Sequence, residues 1–473
     1  MAGRRTRSNV ALTATIGGAT LLAVGIGVVG LRHLSLNLDE ATSVVVVQPR
    51  SIVDILAGRI DRNMTVYYVI LKAWVALFGT TEAALRSLSL LFGALTVPAL
   101  ALLGARLFGR RVGAIAAVLL ALNAFAFRFA NIARSYSLLM LGVTVSTWLF
   151  VRMVEDRRWR DAAAYAVVTA FTCYAHFFAF MVVGVQWASL VARGARPNRP
   201  PREVLAGGAA FAVLVAPLVR NAASPGATDA ISWIPTPTVK EVGVVYSRLA
   251  GNVGMLVVFA ALAAVAVAAW WRGPPVPAGP DIRWRRVLVG AWPFVPMVAA
   301  LAVGWWQPLV VDRYFVILLP PALLMVACGI DVLWDRNRSV AIAGGLLIVL
   351  LTPLALRSAY TANGQNDDWR GAVAYVAPLA DNDHRVATSV VFFRVPIGYY
   401  ARNRFLIAVP PFVSLRDRPA CVLLLHRHTD AENAKFARSE GRAFLAAWYR
   451  HVRTKRVHGV DIEVMARNDA GYC

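Results

Sequence analysis

Apolar and polar positions along the chain fall into long blocks instead of the short repeats of a water-soluble fold. Val10 to Leu31 is a run of 22 residues without a charge, enough for one helix to cross the roughly 30 Å hydrocarbon layer of a bilayer. Further apolar runs lie at 85–107, 112–127, 136–151, 162–175, 177–192, 203–219, 241–270, 287–304, 314–332 and 339–356. Those shorter than about 20 residues borrow polar neighbours or sit where protein replaces lipid. The pattern predicts a polytopic all-α membrane protein with about 11 transmembrane helices.

Basic residues give the runs a direction. Arg4, Arg5 and Arg7 precede the first run, which places the N-terminus in the cytoplasm. That run is also longer than the roughly 7–15 apolar residues of a signal peptide, so it reads as a span. Alternate intervals then collect the arginines: Arg106, Arg110 and Arg111; Arg152, Arg157, Arg158 and Arg160; Arg193, Arg196, Arg199 and Arg202; Arg272, Arg283, Arg285 and Arg286; Arg336 and Arg338. The intervening segments hold few, namely Arg128 and Arg134, Arg220 and Lys240, and Arg313. The scheme requires a break at Tyr174, Ala175 and His176, and the basic cluster at 193–202 decides for it. An odd number of spans puts the C-terminus outside the cytoplasmic membrane.

Two regions do not span. In 32–84, the first outer loop, Ile52, Ile55, Leu56 and Ile60 recur at helical spacing beside Arg50, Asp54, Arg59, Asp61 and Arg62, which predicts a helix lying in the interface. Tyr67 to Phe78 has the same character, with Lys72 as its only charge. The tail, 357–473, has strand-like runs at Val386 to Val395, Cys421 to His426 and Val460 to Met465, and a helical stretch near Asp430 to Tyr449. The expected organisation is therefore a membrane module over 1–356 and a small extracytoplasmic α/β domain over 357–473.

Composition narrows the class. With 58% apolar and only 16% charged residues in 473, a water-soluble protein is excluded. The net charge of +23 would suggest nucleic acid in a soluble chain, but here it resides in loops between spans, so no nucleic-acid partner is expected. The tail has 17 basic and 11 acidic residues, a bias that serves either solubility or anionic headgroups. The four cysteines show no CxxC spacing, which argues against a disulfide scaffold, a zinc site and redox chemistry.

Charged residues in costly places carry the candidate chemistry. Asp39 and Glu40 follow the first span; such a pair either supplies a general base with a metal ligand or orienting group, or simply terminates a helix. Arg134, with Tyr136 beside it, either grips a phosphate at low dielectric or snorkels from a helix end. His176, among aromatics at a hairpin tip, either donates to a phosphate oxygen or belongs to an interfacial belt. Without HExxH or a close histidine pair, an all-protein metal site is not supported. A divalent cation such as Mg²⁺ or Mn²⁺, shared between substrate phosphate and Asp39 or Glu40, stays open. Asp312, Arg313 and Tyr314 open the tenth run, and Asp367, Asp368, Trp369 and Arg370 follow the last. The predicted topology puts Asp39, Glu40, Arg134, His176 and Arg313 on one membrane face, an arrangement suited to an anionic, partly apolar substrate.

The same residues resemble the GT-C superfamily of membrane glycosyltransferases, in particular bacterial relatives of the protein O-mannosyltransferases and of the aminoarabinose transferase acting on lipid A. The matching pieces are Leu38-Asp39-Glu40, Val66 to Leu71 with its Tyr67-Tyr68 pair, Leu77-Phe78-Gly79, Ala84-Leu85-Arg86, Leu107-Phe108-Gly109, Ala133 to Leu139, Tyr174 to Phe178, Asp312 to Phe315 and Asp367 to Arg370. They span roughly residues 30 to 370 in order. The resemblance implies transfer of a hexosyl or pentosyl group, mannose favoured, from a polyprenyl-phosphate carrier to a hydroxyl of a protein, lipid or glycan acceptor, with inversion. It implies Asp39 as general base supported by Glu40, Arg134 and Arg313 on the donor phosphate, and Tyr67, Tyr68, Tyr136 and His176 around the lipid phosphate. Where many relatives have His-Pro-Pro or Asn-Pro-Pro, this chain has Asn63-Met64-Thr65. The Ala/Arg/Val-rich, lysine-poor composition resembles that of high-GC actinobacteria. The competing classes are a transporter or flippase for an anionic lipid-linked substrate, which would call for repeats not visible here, and a structural protein. The sequence does not specify an oligomeric state.

Overall fold

A computed structural model describes residues 2–473 except 33, 60, 194–200, 225–233, 235, 274–280, 362–366, 382, 403, 429–434 and 472; side chains are described from residue 10 onward and not at 360 and 361. Ile60, Arg196, Arg199 and the start of the expected helical stretch at Asp430 fall outside the described residues. The chain divides into two compact units. One comprises Met1–Leu31 and Arg50–Tyr360; the other comprises Arg32–Pro49 and Thr361–Cys473. The boundary near the tail lies close to the expected 356/357, but the first outer loop is shared between the units.

The first unit is helical. Among the described residues seven helices are long and apolar enough to cross a membrane, and two bent pairs, Arg110–Ala121 with Ala124–Ala130 and Ile282–Ala291 with Val295–Val303, bring the number to as many as nine if each pair is one span. Trp159–Ala175 and Ala179–Ser189 are separate helices that part at His176, where the chain turns extended. Each of the eleven apolar runs thus has a helical counterpart. Besides the 42° bend between Ile282–Ala291 and Val295–Val303, two further runs are interrupted. Asn123 ends the first helix of the 112–127 run and caps the next, its side chain accepting the Ala126 N–H, and the pair bends by 62°. The expected single run 241–270 is two helices, Val239–Ala250 and Val253–Trp271, parted at Gly251 with φ +117° and recapped by Asn252. The expected interfacial helix near residue 52 is reduced to one turn, Ile52–Leu56, whereas Thr65–Phe78 forms as predicted.

Small residues and buried hydroxyls hold the helices together, as expected where lipid offers no hydrophobic drive between them. A methyl group on Gly329 would overlap the Leu262 carbonyl, so the helices Val253–Trp271 and Leu319–Arg336 touch backbone to backbone there. Gln186 accepts the Tyr165 hydroxyl at 2.9 Å and donates to Thr147 at 3.0 Å and Ser146 at 3.2 Å. At one end of the bundle Arg106 meets Glu155 and Asp156, Arg285 meets Glu155 and the Leu107 carbonyl, and Arg193 meets Asp281 and the Val154 carbonyl. These residues come from four of the intervals that charge counting assigned to a single side.

The second unit is an α/β domain. Among its described residues five strands, β1 His384–Thr388, β2 Ile407–Ala408, β3 Cys421–Arg427, β4 Tyr449–Val457 and β5 Val460–Arg467, pair in the order β2-β1-β3-β5-β4. The first three are parallel; β5 and β4 run antiparallel. Alternation along β3 sends Leu423 and Leu425 to a core with Trp369 and Ile462, and Val422 and Leu424 to a second core with Leu445 and Met465. Arg32–Pro49 belongs to this unit: Ser35 Oγ donates to the Asp367 carbonyl and the Leu36 N–H to the Tyr400 hydroxyl, both at 2.6 Å.

Three readings of the tail are corrected. The strand expected to reach Val395 stops at Thr388, and Arg394–Ala401 is a helix whose buried Ile397 packs on the first core. The strand β4 was hidden because residues 450–456 are exposed and polar, without alternation. Cys421 and Cys473 form a disulfide, although their sequence separation of 52 gives no spacing signature. The antiparallel return of β5 brings the chain end back beside the start of β3.

Candidate functional site

The candidate site in the helical unit starts with the turn before Thr65–Phe78. Asp61 accepts the Asn63 N–H at 3.0 Å, and the Asn63 side chain accepts the Phe177 N–H at 3.0 Å, which ties this turn to the break at His176. Met64 takes the left-handed conformation at φ 68°. From the first turns of the helix, Tyr68 donates to Asp61 Oδ2 at 2.9 Å and accepts from Arg134 Nη1 at 2.6 Å. Arg134 Nη2 lies 3.9 Å from the same carboxylate oxygen, with only 11% of its side chain exposed. A buried guanidinium requires such a counter-charge, since an unpaired one is strongly destabilising. Tyr67, on the adjacent face, shares a 3.3 Å contact with Ser89, whose hydroxyl donates to the Arg134 carbonyl.

His176 lies beyond. Its Nδ1 accepts the Phe178 N–H at 3.2 Å and therefore carries no proton, so Nε2 holds the N–H. That Nε2 is buried without a hydrogen-bond partner among the described residues, which leaves it an unused donor. The ring packs 5.1 Å from Tyr314 and 6.0 Å from Tyr136, and Arg313 lies over the Tyr314 ring at 5.7 Å. Asp312 binds Arg248 at 2.7 Å and Arg128 at 3.5 Å, and its Oδ1 accepts the Arg313 N–H. Four arginines, two carboxylates and a neutral imidazole thus line one end of this unit, a setting able to hold an oxyanion bidentately and stabilise its growing charge.

Asp39 and Glu40 belong to the other unit. They occupy the first turn of Leu38–Val47, where acidic residues complement the helix dipole. Glu40 is fully buried and closes a capping box with Asn37: Oε2 accepts the Asn37 N–H at 3.1 Å and Asn37 Oδ1 accepts the Glu40 N–H at 2.9 Å. Asp39 is half-buried. Among the described residues, no group of three or more His, Cys, Asp or Glu is placed to hold a metal. A divalent cation would find here the Asp39 carboxylate beside a glutamate already spent on its cap, and would draw its remaining oxygens from water and phosphate.

Sequence reading singled out Arg134, Tyr136, His176, Arg313, Tyr67 and Tyr68, and the structure brings these to one end of the helical unit. It missed Asp61, counted as a solvated helix charge, and Arg248, counted inside a span. A charge within an apolar run signals either a break or a function, and here the break at Gly251 follows three residues later.

Comparison with known proteins agrees with this picture. Residues 64–220 match the family model for dolichyl-phosphate-mannose-protein mannosyltransferase. No curated protein sequence matches the chain. Among solved structures, the chain is similar to ArnT from Cupriavidus metallidurans bound to undecaprenyl phosphate, with TM-score 0.63, 12% identity, and coverage of 98% of this chain and 99% of that one. It is also similar to the archaeal oligosaccharyltransferase AglB from Archaeoglobus fulgidus in complex with an inhibitory peptide and a dolichol-phosphate, with TM-score 0.55, 12% identity, and coverage of 98% and 75%. The mycobacterial arabinofuranosyltransferase AftD matches with TM-score 0.52, 14% identity, and coverage of 97% and 40%. The chain has the fold of the GT-C membrane glycosyltransferases. Its sequence resemblance to them lies over residues 64–220, which hold Tyr67, Tyr68, Arg134, Tyr136 and His176.

Proposed function

We propose that the protein is an inverting glycosyltransferase that moves a sugar, mannose favoured, from a polyprenyl-phosphate carrier to a hydroxyl acceptor on the outer face of the cytoplasmic membrane. The observation that carries this reading is the convergence of Arg134, Arg313 and the His176 Nε2–H, which has no partner among the described residues, in a chain with the GT-C fold. The Cys421–Cys473 bridge supports an oxidising, extracytoplasmic setting for the second unit.

In this reading Asp39 takes the proton of the acceptor hydroxyl while its oxygen attacks the anomeric carbon. The bond from that carbon to the phosphate oxygen breaks on the opposite face, and the electron pair leaves with the lipid phosphate. Arg134 and Arg313 stabilise the charge that grows there, and His176 donates through Nε2–H; no acid is required, because a phosphate leaves unprotonated. Tyr67, Tyr68 and Tyr136 hold this wall in place. Glu40 fixes the helix that carries Asp39. A divalent cation, where bound, would add Lewis-acid stabilisation of the same phosphate.

The test is transfer from radiolabelled polyprenyl-phosphate mannose, with the arabinose donor in parallel, by wild type and Asp39→Asn in membrane extracts. The variant should lose roughly 10²- to 10⁴-fold in rate and still bind donor. A variant as active as wild type would remove Asp39 as the base, and a wild type inert with both donors would remove the donor assignment.

A further inference from the structure

Positive charge in the second unit is concentrated in one strand. The tail's 17 basic and 11 acidic residues leave a surplus of six, and β4 alone supplies four of these through Arg450, Arg453, Lys455 and Arg456. Residues 450–456 are all exposed, so both faces of this edge strand meet solvent. Arg450, Arg453 and Lys455 have no acidic partner among the described residues: Arg450 donates to the Ala470 carbonyl, and Lys455 lies 5.9 Å from the Tyr375 ring centre. Arg456 reaches Asp461 only at 3.8 Å. A lysine or two suffices to keep an edge strand from pairing with another chain; four cations in seven residues, without acids between them, exceed that need. The bulge between His451 and Arg453 sets Arg450, Arg453 and Lys455 opposite Ala466, Val464 and Ile462, so these three share one face at intervals of about 7 Å, a row suited to a linear polymer with repeated negative charges. Aromatic rings flank the strip, Trp448 beside its start and Tyr375 near Lys455. Insertion into a lipid surface would call for an apolar edge, and Val452 is the only aliphatic exposed between Arg450 and Arg456.

We propose that β4 is a docking strip for a linear polyanionic glycan bearing carboxylate or phosphate groups. Naming that glycan as the acceptor rests on the glycosyltransferase reading, whereas the binding itself does not.

The experiment uses the full-length protein in neutral detergent, with fluorescent polygalacturonate and neutral dextran as probes and wild type beside Arg450→Gln/Arg453→Gln/Lys455→Gln. The wild type should bind polygalacturonate, ignore dextran and weaken steeply as salt rises, and the triple variant should bind at least about tenfold more weakly. Equal binding by both proteins, or none by either, overturns the proposal. Anionic phosphatidylglycerol vesicles form a third arm, and binding to these without binding to polygalacturonate would make the strip a lipid contact and also overturn it. Unchanged thermal unfolding of the variant shows that it folds, and loss of polymer binding with intact sugar transfer to a short acceptor separates the strip from the catalytic reading.

Discussion

Two adjacent tyrosines should respond very differently to loss of a single oxygen. Tyr68→Phe removes the hydroxyl that accepts from Arg134 at 2.6 Å and donates to Asp61 at 2.9 Å. Hydrogen bonds to charged groups contribute about 1.5–3 kcal/mol each. Because Arg134 keeps Asp61 at 3.9 Å, the two losses overlap, and we expect a total of about 2–3 kcal/mol. In a rate or binding constant this is roughly 30- to 150-fold. Tyr67→Phe removes a neutral contact of 3.3 Å to Ser89, for which we expect less than about 1 kcal/mol. Thermal unfolding in detergent and donor titrations with polyprenyl-phosphate mannose measure both variants. Tyr68→Phe should unfold several degrees lower and raise the donor KM, whereas Tyr67→Phe should stay near wild type. Equal behaviour of the two variants would refute the ranking. A Tyr68→Phe protein that is destabilised but keeps its donor KM would make Arg134 a strut and not a phosphate contact.

Other expectations follow from the two units. In the α/β unit, His426 Nε2 and Glu463 Oε1 lie 3.0 Å apart, and Arg442 holds the second carboxylate oxygen at 2.8 Å. The bond from His426, against burial and aided by Arg442, holds the Glu463 carboxyl down to about 2. Burial lowers the His426 imidazole, but its bonds to Glu463 and the Arg427 carbonyl outweigh this and raise it above 6.5. Glu463 therefore stabilises above its ordinary 4.5 and loses this as pH falls toward 2. His426 stabilises fully below 6.5 and loses this as pH rises through its higher folded value. Hydrogen exchange of β3 and β5 should be slowest between these limits, and Glu463→Gln should flatten the profile and remove on the order of 2 kcal/mol. In the helical unit, Gln186→Leu leaves Tyr165, Ser146 and Thr147 without their shared partner. It should cost about 1–2 kcal/mol in thermal unfolding, and a variant as stable as wild type would show that the network contributes nothing to packing.

Much of the helical unit was legible because a charge-free run of about 20 residues has few options in a bilayer. The arginine-rich intervals were legible for the same reason, and Arg106, Glu155 and Arg285 do meet at one end. What failed was local. Asn123 and Gly251 break helices inside apolar runs by capping and by positive φ, terms that a hydropathy window averages away. Asp61 was invisible as the partner of Arg134 because that arginine stands 73 positions away in sequence. The β4 strand was unreadable because alternation reports a buried face, and its residues 450–456 have none.

The attachment of Arg32–Pro49 to the tail bears on how such a protein can be recombined. The helix that carries Asp39 is stitched, through Ser35 to Asp367 and Leu36 to Tyr400, to a domain more than 300 residues downstream. A chimera exchanging only residues beyond 357 would pair one parent's candidate base with the other parent's support. Shuffled variants should stay active only when 32–49 and 361–473 descend from the same parent. Two stretches at opposite ends of the chain would thus be inherited as one heritable block.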